Sequence, residues 1–125
     1  MSMSFIGANR HSNNNLVPVY DLAKILNERI YGDPLDVEDM GEPNPYYEPD
    51  ADFNVNEGNA RYMIESVLDY KIEAGYVEME IVDLQKRVNE MWQSVSEQYA
   101  VNFLKRMQAL IDFSQARGAT YIYGA

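Results

Sequence analysis

Apolar residues along the chain recur mostly at helical spacing. Val19, Leu22, Ile25, Leu26 and Ile30 follow Pro18 at intervals that make one apolar face. Proline suits a first helical turn, so a helix is predicted over about 18–31, ended by Gly32 and barred from continuing by Pro34. A second helix is predicted from a cap at Asn56 or Asn59 to about Ala74, carried by Ala60, Met63, Ile64, Val67, Leu68 and Ile72 and closed by Gly75. The third is the longest. Between about 78 and 116 there is neither proline nor glycine, and Ile81, Leu84, Val88, Met91 and Val95 step by three and four in a heptad seam. After Val95 the stripe moves to Tyr99, Phe103, Met107 and Leu110. Unbroken, such a helix spans roughly 55–60 Å. A compact domain of this size has a radius of gyration of only about 13–14 Å, so the helix must either meet another chain or break.

Tyr76 to Ile81 alternates apolar and polar, as a short strand would. A helix start is preferred, because Glu78 and Glu80 then lie in a first turn, where the macrodipole favours negative charge. The expected fold class is therefore mainly α: three helices with a long C-terminal one, an acidic Pro/Tyr-rich loop and short extended tails. Residues 1–15, rich in Ser and Asn, are expected to form a flexible or partner-ordered arm whose Phe5–Ile6 could serve as an edge strand or anchor. Residues 16–117 make one helical domain with an insert at 32–58, and 118–125 a tail in which Tyr121, Ile122 and Tyr123 suggest a docking strand.

Charge changes this picture most. Between Arg29 and Arg61 stand nine carboxylates (Asp33, Asp36, Glu38, Asp39, Glu42, Glu48, Asp50, Asp52 and Glu57) and no Lys or Arg, in a chain whose formal net charge is −10. Four prolines oppose regular secondary structure there, and the interleaved Leu35, Val37, Met40, Tyr46, Tyr47, Phe53 and Val55 give the block apolar anchors of its own. An acidic block favours a basic partner and disfavours nucleic acid or an anionic bilayer, which are bound through Lys and Arg. The 125 residues fit one domain, and the 46% hydrophobic content is that of a globular protein. No apolar run is long enough to span a bilayer, no signal peptide is recognisable, and cysteine is absent, which leaves the cytoplasm as the expected compartment.

Candidate chemistry is sparse, and no catalytic residue, metal or cofactor is assigned. Asp50, Asp52, Asn54 and Asn56 alternate like calcium-loop ligands, but Val55 and Arg61 occupy the positions that require Gly and Glu. The single histidine, His11, stands on the Asn-rich arm; Glu65 and Asp69, at i, i+4, read as a solvated helix face. Trp92 is a core residue or an interface anchor.

Two functions follow. The first is a non-enzymatic interaction protein whose acidic face, Asp33, Asp36, Glu38, Asp39, Glu42, Glu48, Asp50 and Asp52 with Tyr46, Tyr47 and Phe53 as anchors, docks on a basic protein surface. In size, helicity, charge sign and lack of cysteine the chain is similar to the small acidic helical inhibitors of restriction and CRISPR systems, which place carboxylates where nucleic acid places phosphates. That likeness is compositional, and it implies a phage-encoded inhibitor of a host nucleic-acid-binding protein. The second is a homo-oligomeric structural or assembly protein, paired through Ile81, Leu84, Val88, Met91, Trp92 and Val95, with both tails latching neighbours.

Overall fold

The computed structural model describes residues 2–10, 15–20 and 52–125. Among them the fold is an antiparallel five-stranded sheet with helices packed on one face, not a mainly α bundle. The elements are β1 (Ser2–Arg10), β2 (Leu16–Pro18), β3 (Asp52–Asn56), α1 (Glu57–Arg61) running into a π-helical turn (Tyr62–Val67), β4 (Val77–Glu80), α2 (Ile81–Met91), α3 (Gln98–Ala116) and β5 (Tyr121–Gly124).

Of the arm expected over 1–15, Ser2–Arg10 is a central strand. One edge of β1 pairs with β5 (Phe5 opposite Gly124, Ala8 opposite Tyr121). The other edge takes two short strands end to end: β3 along Ser2–Ile6 and β2 along Ala8–Arg10. Its composition hid this, because Gly7 and Ala8 are small where the strand is covered. A Cβ on Gly7 would lie 2.3 Å from Ser114 Oγ, so only glycine lets β1 approach α3 this closely. The expected tail is likewise internal: β5 lies between β1 and β4, with Ile122 fully buried.

The helix expected over 78–116 is replaced by a strand and two helices. Val77 and Met79 face the core while Glu78 and Glu80 face outward, so the period-2 alternation marks a strand, against the helix start preferred from charge. The chain then turns at residues 92–97, where Ser94 N and Val95 N both donate to Met91 O. Ser94, Val95 and Ser96 are weak helix formers. The break lets α2 fold back on α3, where Gln85 and Gln108 exchange amide hydrogen bonds of 2.6 and 2.7 Å. The two apolar stripes thus belong to two helices and meet in one core.

The second helix also ends early. Asn56 caps it, its side chain accepting from Gly58 N at 2.9 Å, but Asp69 adopts φ 61° and terminates it well before Ala74. Ala74 and Gly75, both at positive φ, then form a two-residue turn in which Glu73 and Tyr76 exchange backbone bonds of 3.1 Å. The helix expected over 18–31 falls on described residues only at Pro18 to Tyr20, of which Pro18 closes β2; the remainder lies outside the described residues.

The core is built on the helix-facing side of the sheet. Phe5, Phe53 and Phe103 form an aromatic cluster with ring centroids 5.0, 5.8 and 5.5 Å apart, stacked once and edge-to-face twice. Met63, Ile64, Leu84, Leu104, Met107 and Ile111 complete it. Among the described residues no helix is long and apolar enough to cross a membrane.

Candidate interaction surface

The positions singled out from the sequence fall into three groups. Asp33, Asp36, Glu38, Asp39, Glu42, Tyr46, Tyr47, Glu48 and Asp50, with His11, lie outside the described residues. Asp52 opens β3 opposite Ile6. Phe53, expected as an anchor for a partner, is instead buried between Phe5 and Phe103, and Arg106 covers it with its guanidinium 4.8 Å from the ring centroid. Of the seam residues, Ile81, Leu84 and Val88 are buried in this chain's own core, and Met91, Trp92 and Val95 pack half-buried against it. In the stretch weighed as a calcium loop, the Asn54 carboxamide accepts from Ser4 Oγ and Asn56 caps α1.

The sheet nevertheless fixes both ends of the segment, between Pro18 and Asp52, that contains the acidic stretch. The chain leaves β2 at Pro18, which is opposite Ala8, and returns at Asp52, which is opposite Ile6. These two positions are on the same edge of β1 and two residues apart, or roughly 7 Å. The exit is pinned further: Val19 N donates to Gly7 O at 3.4 Å, Gly7 N donates to Tyr20 Oη at 3.0 Å, and the Tyr20 ring meets Phe113 of α3 edge-on at 5.1 Å. A run of residues that begins and ends at one place on a sheet edge is a tethered insertion.

The second candidate is the face of the sheet turned away from α2 and α3, where Ile6 and Ala8 of β1 are buried and Glu78 and Glu80 of β4 are exposed. It carries Arg10 from β1, Tyr121 and Tyr123 from β5, and Glu78 and Glu80 from β4. Tyr121 is opposite Glu80 and Tyr123 opposite Glu78. Arg10 reaches over Tyr121, 4.9 Å from the ring centroid, to a 2.5 Å salt bridge with Glu78, while Tyr121 Oη donates to Glu80 at 3.4 Å. Tyr123 stacks with Tyr76 at 5.9 Å and 29° between ring planes. The tyrosines of 121–123 and the alternation of 76–81 are legible in the sequence; their pairing is not, because the two segments become neighbours only in the fold.

A third cluster joins α2 to the end of the π-helical turn. Tyr70 Oη donates to Asp83 Oδ2 at 2.5 Å; Arg87 Nε reaches the same oxygen at 2.8 Å, and its Nη1 donates to Leu68 O and Asp69 O at 2.9 and 2.7 Å. The guanidinium also lies 4.1 Å from the Tyr70 ring centroid. A cleft of about 410 Å³ beside it is lined by Asp69, Asp83 and Glu90 interleaved with Lys86 and Arg87. Arg87 directs its donors at the chain that it closes, which makes this a clasp holding Leu68–Tyr70 on α2.

The clasp makes stability depend on pH at both extremes. The hydrogen bond from Tyr70 holds Asp83 below the usual carboxylate range against the opposing effect of burial, and the charge and hydrogen bond of Arg87 add to it. A depressed folded pKa means that the stabilisation is present above the unfolded value of about 3.9 and is lost as pH falls through the lower folded value. Burial, then the Asp83 hydrogen bond and charge, push Tyr70 well above its usual value. Its contribution is complete below about pH 10 and is lost as pH rises toward the folded value. Asp83→Asn is expected to flatten the acid limb of a plot of urea midpoint against pH between 2 and 5, and Tyr70→Phe the alkaline limb above 10. An Asp83→Asn variant that kept the wild-type acid limb would place that dependence on other carboxylates.

Comparison with protein-family models, with curated proteins and with solved structures gave no match, so the reading of these surfaces rests on their own geometry and charge.

Proposed function

We propose that this protein is a non-enzymatic interaction protein that presents the carboxylates of Asp33 to Asp52 to a basic protein surface, in the manner of a nucleic-acid mimic. The observation that carries this reading is the tether: the segment between Pro18 and Asp52, which contains the acidic stretch, leaves and rejoins one edge of β1 two residues apart. A segment closed at both ends has fewer conformations to lose on docking than a free tail, so less of the gross interaction is offset by ordering entropy. Charge distribution supports it as well. Residues 21–51 hold nine acids and two bases, whereas the described residues hold 11 acids and eight bases and are nearly balanced. Several of those bases already face acids of their own domain: Arg10 with Glu78, Arg61 with Glu57 and Glu65, Lys71 with Glu73, and Arg87 with Asp83. The excess negative field is therefore local to the insertion, where it can steer a cationic surface.

A fluorescein-labelled 20-residue lysine peptide, followed by anisotropy, tests the reading. Binding is expected to weaken roughly tenfold or more between 50 and 200 mM salt, as screening of several charges requires. Changing Asp33, Asp36, Glu38, Asp39, Glu42 and Glu48 to their amides is expected to cost at least as much at 50 mM. Undiminished binding by that variant, with its thermal melt unchanged, would show that the insertion is not the docking surface.

A further inference from the structure

On the sheet face turned away from α2 and α3, Ile6 and Ala8 of β1 are buried, whereas Tyr76, Glu78 and Glu80 at the β4 side are exposed and belong to no part of the acidic insertion. We infer that this face is a docking surface for an extended segment bearing arginine, whose guanidinium lies on the Tyr76–Tyr123 stack with its charge directed at Glu78 and Glu80.

The chain supplies its own template for this contact. Arg10 already lies over Tyr121 and pairs diagonally with Glu78, the glutamate opposite Tyr123, so this face holds one guanidinium through ring and carboxylate together. The register then repeats: Tyr123 lies opposite Glu78 as Tyr121 lies opposite Glu80. On this second row the ring of Tyr76 stacks on Tyr123 in place of a guanidinium, and Tyr76 is 41% exposed. A groove of about 500 Å³ runs past it, lined by Asn15, Leu16, Val17, Tyr76, Glu78 and Tyr123. That volume falls within the range of built ligand sites, about 300–1,000 Å³. Val17, 38% exposed, gives the groove an apolar wall against which the methylene stem of a long cationic side chain can lie.

Charge selects the occupant. The face presents Glu78 and Glu80 to one described cation, Arg10, which is already engaged. Ring faces add negative quadrupole, so the surface suits a cation and disfavours phosphate or an anionic bilayer. Arginine fits better than lysine, since a planar guanidinium stacks on a ring and offers its fork to a carboxylate at the same time. An extended segment can lie along the pleats and place alternate side chains on the face.

The test uses the whole protein with ¹³C-labelled tyrosine rings and two short peptides, acetyl-Gly-Ser-Arg-Ser-Gly-amide and its citrulline counterpart, which has the same shape without the charge. The arginine peptide is expected to shift the ring signals of Tyr76 and Tyr123 and to bind several-fold tighter than the citrulline peptide. Tyr76→Ala combined with Glu80→Gln, both exposed positions, is expected to weaken it by roughly fivefold while the thermal melt stays in place. Tyr76→Phe keeps the stack and is expected to bind as the wild type does. Equal binding of the citrulline peptide, or full binding by the Tyr76→Ala, Glu80→Gln variant, would overturn the site. The chain with six amidated insertion positions separates this inference from the proposed function. Retained peptide shifts at Tyr76 and Tyr123 there support an independent face, and their loss would assign the binding to the insertion and refute the face.

Discussion

Replacing Gly7 by alanine is expected to destabilise the protein by about 3 kcal/mol, at the upper end of what overpacking a core ordinarily costs. The added Cβ would stand 2.3 Å from Ser114 Oγ, 2.5 Å from Ser114 Cβ and 3.4 Å from the Ala119 methyl group, and Ser114 belongs to a helix backbone that cannot retreat alone. Urea unfolding should show a lower midpoint with an unchanged slope, the signature of lost stability without altered compactness. Removing the hydroxyl of Ser114 does not repair the clash, because its Cβ remains, so Gly7→Ala with Ser114→Ala is expected to stay near the single variant. Ser114→Gly in the same background is expected to restore part of the loss, limited by the roughly 1 kcal/mol that glycine costs a helix. Ser114→Ala alone is a separate case. The hydroxyl is buried without a hydrogen-bond partner, so its removal is expected to leave stability unchanged or slightly raised. If Gly7→Ala unfolded at the wild-type midpoint, β1 and α3 would have to be less tightly apposed than these distances state.

That contact shows why the sheet was hard to read from residues alone. Local patterns found the apolar faces of α2 and α3 and the alternation of Val77–Glu80, because both report periodicities of neighbouring residues. They could not show that β1 is central. Its alternate positions are Met3, Phe5 and Gly7 toward α3 and Ser4, Ile6 and Ala8 away from it, so small and polar residues interrupt any strand-like run. The strand is held by partners 46 to 119 positions away in β3 and β5. The break after Met91 left no proline or glycine to mark it; what demands it is the need to bring Leu84 and Met107 into one core. The charge asymmetry was fully legible, since it is a property of composition. The adjacency of Pro18 and Asp52 on β1, which turns the acidic stretch into a tethered insertion, is a property of register and was not.

Deleting Tyr121–Ala125 is expected to abolish cooperative folding altogether, the largest effect foreseen for any change to this chain. β5 is the only described strand that joins β4 to β1, pairing with Val77–Glu80 on one side and Phe5–Ala8 on the other. Ser4 and Ala125 extend that ladder, exchanging backbone bonds of 2.8 and 3.0 Å. Without it, burial of Ile122, worth about 2–3 kcal/mol, is lost. Phe5, Val77 and Met79 lose their cover, and two strand edges are left without partners. Those losses together reach the 5–15 kcal/mol that separates folded from unfolded chains of this kind. The shortened chain should show no sigmoidal thermal transition by circular dichroism and should bind a hydrophobic dye. A synthetic peptide of residues 119–125, added in excess, should restore a transition by supplying the missing strand in trans, as strand addition to an open sheet does. A peptide with Ile122→Asp should fail, because the side chain that the core requires is then charged. A shortened chain that melted cooperatively by itself would mean that α2, α3 and the remaining strands suffice. Such a chain would also separate folding from recognition, since Tyr121 and Tyr123 would be gone from a face otherwise able to hold its shape.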